Sequence, residues 1–256
     1  MVIFVKFLLR TLRFFFRLAV LLAALVLLAY GGYRFCRWRG WVLFPQEADP
    51  DQWEVFGVDA SVYQGEVDWP ALADQGVDFA FLKATEGSSL QDVRFAQNWA
   101  NAQAAGVRVG AYHFFSYDSP GETQADNFIS AVPVTPGALP PVVDIEFYGD
   151  NLKNPPEADH VKAVLDPLLE RLEAHYGVKP ILYVTYRSYA LYLKKGYEDY
   201  RFWFSSPAVM PFWRPWTFWQ YSHSARLEGY TGGEERIDLN VFRGSRADFQ
   251  ALFGGG

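Results

Sequence analysis

Cysteine, histidine and excess positive charge are all scarce in this chain, and each scarcity removes a class of function. Cys36 is the one cysteine, so no internal disulfide forms and cysteine usage leaves the redox compartment open. Four scattered histidines form no Cys/His cluster at zinc spacing. His113 with Asp59 and Asp144 would be one histidine among carboxylates, a poor zinc set, so neither a metal nor a cofactor is expected. With 23 Lys and Arg against 29 Asp and Glu, the formal net charge is -6. That argues against a nucleic-acid partner, because neutralising phosphates takes a basic face, and the densest basic cluster here lies in an apolar leader. No Gly-rich phosphate loop, G-x-S-x-G elbow or Cys/His pair is present to carry chemistry. Internal repeats and low-complexity tracts are also missing.

What is present begins with that leader, residues 1–40. Lys6, Arg10, Arg13 and Arg17 precede 18–33, sixteen residues without a charge. Counted from Phe14, with Arg17 snorkelling toward the headgroups, the stretch makes a helix of about 30 Å, which matches a hydrocarbon core. An N-terminal transmembrane helix is therefore expected, with the membrane as a partner and the rest of the protein on the periplasmic or extracellular side. The alternative is a signal cleaved near Ala29-Tyr30-Gly31, which would leave a secreted protein. The long basic region and the bases that follow the run, Arg34, Arg37 and Arg39, favour the anchor. Cys36 is a poor lipidation site, because the residues before it are bulky. Residues 41–55, with Pro45, Pro50 and several acids, read as a linker. The folded domain is placed at 56–253.

Within it, short apolar runs at 56–60, 78–84, 107–115, 142–146, 179–185, 201–205, 217–221 and 236–240 read as strands. Between them, Phe95, Trp99, Ala102 and Gly106 fall at helical spacing, as do Val161, Val164, Leu165, Leu168 and Leu172, with Pro167 expected to kink the second helix. Strands alternating with helices imply parallel pairing, and eight such runs point to an α/β fold, a TIM-like (β/α) barrel. The domain is short for that fold and its last links are too short for full helices, so the barrel should be irregular, with reduced helices late in the chain.

The stretch Leu139-Pro-Pro-Val-Val-Asp-Ile-Glu-Phe147 carries the strongest chemical signal. Side chains alternate along a strand, so Asp144 and Glu146 share one face with Cα atoms about 6.6 Å apart, close enough to act on one bond. An isolated D-x-E can also be two acids that reach solvent or find an Arg. Here Asp59, Glu86 and Asp238 recur at the ends of other apolar runs, and together these acids outline one acidic mouth. Tyr112, Tyr183, Trp203, Trp219 and Tyr221 lie at the same ends, where flat rings with polar tips suit either packing or sugar.

In chain order come Gly57-Val-Asp-Ala-Ser-Val-Tyr-Gln-Gly65, Asp68-Trp69, Phe79-Ala-Phe-Leu-Lys-Ala-Thr-Glu-Gly87, Gly110-Ala-Tyr-His-Phe-Phe115, the D-x-E block, Trp219-Gln-Tyr-Ser222 and Ile237-Asp-Leu-Asn-Val-Phe242. With these blocks the chain resembles the family 25 glycoside hydrolases, lysozymes that cut bacterial peptidoglycan, over about residues 57 to 243. The resemblance implies a modified (β/α) barrel that hydrolyses the β-1,4 bond between N-acetylmuramic acid and N-acetylglucosamine in peptidoglycan glycan strands. It implies that Glu146 is the proton donor and that Asp144 stabilises positive charge at the sugar or assists its N-acetyl group. Asp59 and Asp238 match the family's other acidic cleft positions, and Tyr112, Tyr183 and Trp219 match positions that line its groove. It further implies retention, which strand spacing alone does not separate from inversion. The chain departs from the pattern at Tyr63, where the family usually has Trp, and at Ser205-Ser206-Pro207, both of which bear on sugar subsites rather than on the acids. Two rival classes are a membrane-tethered peptidoglycan-binding module without cleavage and a metal-dependent deacetylase. The intact D-x-E counts against the first and the missing histidine cluster against the second.

Overall fold

The structure, a computed structural model, describes residues 2–38, 53–207, 210–211 and 215–254. The chain divides into two units, Met1–Pro45 and Gln46–Gly256. The described residues of the first form one helix, α1 (Val2–Trp38). Its segment Arg10–Arg34 has 25 residues and a mean hydropathy of 2.3. By length and composition it is able to cross a membrane. Most of the expected linker, residues 41–52, lies outside the described residues.

The second unit is a barrel. Its strands are β1 (Phe56–Ala60), β2 (Phe79–Glu86), β3 (Leu90–Gln91), β4 (Arg108–Phe114), β5 (Val142–Ile145), β6 (Ile181–Thr185), β7 (Arg201–Ser205), β8 (Phe218–Ala225) and β9 (Ile237–Phe242). The order is β1-β9-β8-β7-β6-β5-β4-β2, closed by pairing of β1 with β2, and β3 adds a short antiparallel edge to β2. The expectation of parallel pairing throughout is corrected at the end of the chain, where β9 runs antiparallel to both β8 and β1. The segment 226–236 between β8 and β9 carries no helix, and a link that short turns back on itself because a parallel crossover needs a dozen or more residues. The reversal matters for chemistry, since it brings the beginning of β9, and with it Asp238, beside the end of β1.

Among the described residues, six further α-helices accompany the strands: α2 (Trp69–Asp74), α3 (Phe95–Ala104), α4 (Gly121–Ala131), α5 (Ala158–Tyr176), α6 (Tyr186–Ser188) and α7 (Arg246–Phe253). α2 begins where the Asp68 carboxylate accepts from the Ala71 N–H at 3.1 Å, a side-chain cap for an otherwise orphaned donor. α5 contains Pro167 in its interior and is not interrupted by it. α6 continues into a π-type turn, Tyr189–Leu193.

Strand alternation sorts the core into two layers. Val58, Ala80, Leu82, Val143, Ile145, Leu182, Val184 and Phe204 face outward and pack against the helices. Phe79, Phe81, Val142, Ile181, Trp203, Phe218 and Phe242 fill the barrel, with Phe249 and Phe253 of α7 plugging the end opposite the strand C-termini. Each such buried ring contributes about 1.5–3 kcal/mol of burial free energy. Space for these rings comes from Gly57 and Gly110, where an added Cβ would lie 2.5 Å from Phe79 and 2.7 Å from Phe81.

Candidate active site

Above Phe81 and Trp203 the barrel interior turns polar. The inward positions one step further along each strand are Asp59 on β1, Lys83 on β2, Tyr112 on β4, Asp144 on β5, Tyr183 on β6, Gln220 on β8, and Asp238 and Asn240 on β9. The layer lies at the C-terminal ends of the parallel strands and at the start of the antiparallel β9, where a (β/α) barrel leaves its loops free to build a site.

Asp59 and Asp238 are register partners across the β1 and β9 pair. The Gln220 Nε2 donates to Oδ2 of both, at 2.9 Å and 3.0 Å, and Asn240 Nδ2 donates to the same oxygen of Asp59 at 2.8 Å. The remaining ends of these amides are occupied too. Tyr183 donates its hydroxyl to Gln220 Oε1 at 2.9 Å, and Trp203 Nε1 donates to Asn240 Oδ1 at 2.8 Å. Because carboxylates only accept, both amides are locked in one orientation. Burial raises Asp59 to about 6 against the pull of its two donors. It raises Asp238 to about 9, helped by the charges of Asp59, Glu234 and Glu146.

The second acid pair lies at the end of β5. Asp144 is 7% exposed, and its Oδ1 has no hydrogen-bond partner among the described residues. Burial, then the charge of Glu146, pushes Asp144 well above the usual carboxylate range. Glu146, half-buried just beyond the strand, is raised by burial and then by Asp59. These mutual effects arise because four carboxyls share one dry space, and such a set resists full ionisation. Lys83 is the counterweight. Its ammonium meets Glu86 at 2.7 Å with only 14% of the lysine side chain exposed, lies 5.0 Å from the Phe114 ring centre, and favours the charged forms of both Asp144 and Glu146.

The structure thus brings together Asp59, Asp144, Glu146 and Asp238 with Tyr112 and Tyr183. Tyr112 lines a recess of about 130 Å³ with Asp59, Ser61, Gln64, Glu234 and Asp238. A larger recess of about 270 Å³ at residues 132–141 and 252–254 lies elsewhere and contains no acid, lysine, arginine or histidine, so it offers no group for acid catalysis.

Trp219, expected to line the groove, lies on the face of β8 opposite this cluster. Its neighbours Phe218 and Gln220 point inward, so Trp219 points out. It is 5% exposed, donates its indole N–H to the Ser206 carbonyl at 3.0 Å and packs on Trp53, Trp216 and Tyr221. His113 is turned away for the same reason. Its Nε2–H donates to Gln124 Oε1 at 3.0 Å and its Nδ1 lies 2.7 Å from Thr85 Oγ1, a buried neutral imidazole lowered to about 4 by desolvation.

Three members of the site were not read from the sequence: Lys83, Gln220 and Asn240. A signal existed for Lys83, which follows Phe79 and Phe81 at a spacing of two and so shares their inward face. Asn240 likewise follows Asp238 by two. Gln220 had no such signal, because its phase relative to the barrel follows only from closure.

Comparison with known proteins places this geometry in a context. The sequence profile described as Glycosyl hydrolases family 25 matches residues 58–230, more than half of the chain. A solved family 25 glycosyl hydrolase from Bacillus anthracis is 47% identical with a TM-score of 0.77, covering 82% of this chain and 98% of that one. The bacterial lysozyme from Streptomyces coelicolor is 32% identical with a TM-score of 0.69, covering 78% of this chain and 96% of that one. Lysozyme M1 of Streptomyces globisporus is 32% identical over 217 residues, 77% of this chain and 71% of its own length.

Proposed function

The chain belongs to glycosyl hydrolase family 25, and from that premise we propose that it cuts the β-1,4 bond between N-acetylmuramic acid and N-acetylglucosamine, with Glu146 as the acid. It is a glycosidase of the lysozyme kind, and its substrate is peptidoglycan. The observation that carries the finer reading is the pairing of Asp144, at an inward position of β5, with Glu146 just beyond its end, the first with a buried oxygen that no group among the described residues satisfies. An unsatisfied buried acceptor is costly unless a ligand completes it.

A glycosidic oxygen leaves poorly until it is protonated. Burial and the nearby charge of Asp59 help Glu146 retain its proton toward neutral pH, so it is suited to pass that proton to the departing sugar as the C1–O bond breaks. Positive charge then grows at C1, and the free Oδ1 of Asp144 is available to stabilise it or to orient the N-acetyl group that does so. Water completes the exchange. Its hydroxyl bonds to C1, and its proton returns to the Glu146 carboxylate, which restores the starting state. Asp59, held by Gln220 and Asn240, adds negative potential that favours the cationic transition state and helps Glu146 keep its proton, while Asp238, raised to about 9, stays protonated beside it. Tyr112 and Tyr183 form the wall on which a sugar ring would rest.

We further infer that α1 stays in the membrane and holds the barrel on the periplasmic or extracellular side, with Lys6, Arg10, Arg13 and Arg17 on the cytoplasmic side. The chemical reading is tested by mass analysis of products released from purified peptidoglycan. New reducing ends at N-acetylmuramic acid are expected, and reducing ends only at N-acetylglucosamine would overturn the bond assignment.

A further inference from the structure

The mouth is lined by acids, yet the glycan strand it is proposed to bind carries carboxylates on every muramic acid, either the free lactyl acid or the stem peptide joined to it. Like charges oppose binding, so a cation fixed at the edge of the mouth would decide how such a strand lies. Arg187 meets that description. It sits on α6, immediately after β6 and beside the end of β5. Its guanidinium carbon is 4.8 Å from the ring centre of Phe147, the residue that follows Glu146. One of its nitrogens donates to the Leu152 carbonyl at 2.5 Å.

Phe147 does not move freely beneath it. Its ring stacks on Tyr117 at 6.0 Å and meets Tyr192 at 5.7 Å. Tyr117 donates its hydroxyl to the Glu146 carbonyl at 3.0 Å, and Tyr192 donates to the Pro156 carbonyl at 2.8 Å. The guanidinium is therefore held against a fixed aromatic wall, one residue from the proposed acid. Much of the entropy of ordering a long side chain has already been spent in the free protein.

Its charge is also unspent. Arg94, Arg171, Arg226 and Arg246 each pair with a carboxylate, whereas among the described residues no acid lies within ion-pair distance of Arg187. Only one edge of its fork is used by the Leu152 carbonyl, and a planar fork with a free edge matches a carboxylate through two parallel hydrogen bonds.

We propose that Arg187 is a specificity residue that binds a carboxylate of the muramic acid unit, lactyl or stem-peptide, when a glycan strand crosses the mouth. The proposal rests on the muramidase reading and deepens it. Phe147 then acts as the platform that aims the guanidinium, and anionic strands are preferred over neutral ones of the same sugars.

The test uses the full chain in detergent, as wild type, Arg187→Gln and Arg187→Lys, with KM and kcat measured on three glycan substrates. These are strands bearing stem peptides, strands stripped to the free lactyl acid by an amidase, and stripped strands whose lactyl acid has been converted to the neutral amide. Arg187→Gln is expected to raise KM about 10-fold on carboxylate-bearing strands, with kcat and melting temperature little changed and no penalty on the amide. Arg187→Lys should recover part of the loss, because it keeps the charge and loses the fork. A penalty on the stripped acid assigns the partner to the lactyl group, and a penalty confined to stem-bearing strands assigns it to the peptide. Equal losses on all three substrates, the amide included, would overturn the proposal and leave Arg187 as a staple between the β5 and β6 loops. A wild type that releases no muramic acid-terminated product from any of them would overturn the muramidase reading itself.

Discussion

Asp59 and Asp238 face each other across antiparallel strands and share a single donor, the Nε2 of Gln220, at 2.9 Å and 3.0 Å. One amide nitrogen spanning two acids holds them close, and burial then makes charging both of them costly. Asp59 is raised to about 6 and Asp238 to about 9.

This arrangement sets the sign of a stability change with pH. Unfolded, each acid ionises near its usual 3.8, so between about 4 and 9 the folded protein binds more protons than the unfolded chain. The stability these groups contribute is fully present below about 4 and is lost as pH rises through their folded values. Asp238→Asn removes the ionisation while keeping an acceptor for Gln220. The variant should melt at a higher temperature than wild type at pH 8 and at nearly the same temperature at pH 4. Parallel melting curves with an unchanged gap across that range would contradict the buried acid pair.

Glu146→Gln retains size and most hydrogen bonding but has no proton to give. It should fold, bind insoluble wall material and lose cleavage by at least about 100-fold. Asp144→Asn should also cripple turnover with little effect on binding, because the variant has no charged form to offer the transition state, the form that Lys83 favours in the wild type. Product formation, melting temperature and wall pull-down measured together check both, and near-normal turnover in Glu146→Gln would remove it as proton donor.

Lys83 favours the charged forms of Asp144 and Glu146, so its removal raises the proton affinity of both. Turnover needs one acid charged and one protonated, so the rise and the fall of the rate with pH both move the same way. Lys83→Met should shift the whole kcat/KM profile to higher pH, and the loss of a partner for Glu86 adds in the same direction. A profile that only loses height, with both limbs in place, would reduce Lys83 to a packing role.

The anchor is checked by fractionation. Full-length protein should remain with membranes after a high-salt wash, with the barrel open to protease from the non-cytoplasmic side. A soluble mature form whose chain begins near Gly32 would show that the helix is a cleaved signal instead.

What the sequence determined by itself is whatever depends on neighbours along the chain. Asp144 and Glu146 share a face because strand side chains repeat every two residues, and that holds wherever the strand sits. The ordered blocks from Gly57 to Phe242 were specific enough to indicate the barrel and the acids. Closure of the barrel decided the rest. Alternation says that Trp219 and Gln220 point opposite ways, but not which one points inward, since a shift of one residue exchanges the faces. The structure puts the amide inside and the indole outside. Whether Asp238 meets Asp59 depended on the direction of β9, which is set by a link too short to cross the barrel. The raised acids follow from burial among residues far apart in sequence. Spacing fixes local periodicity, whereas charge and proximity belong to a volume that exists only once the last strand has paired with the first.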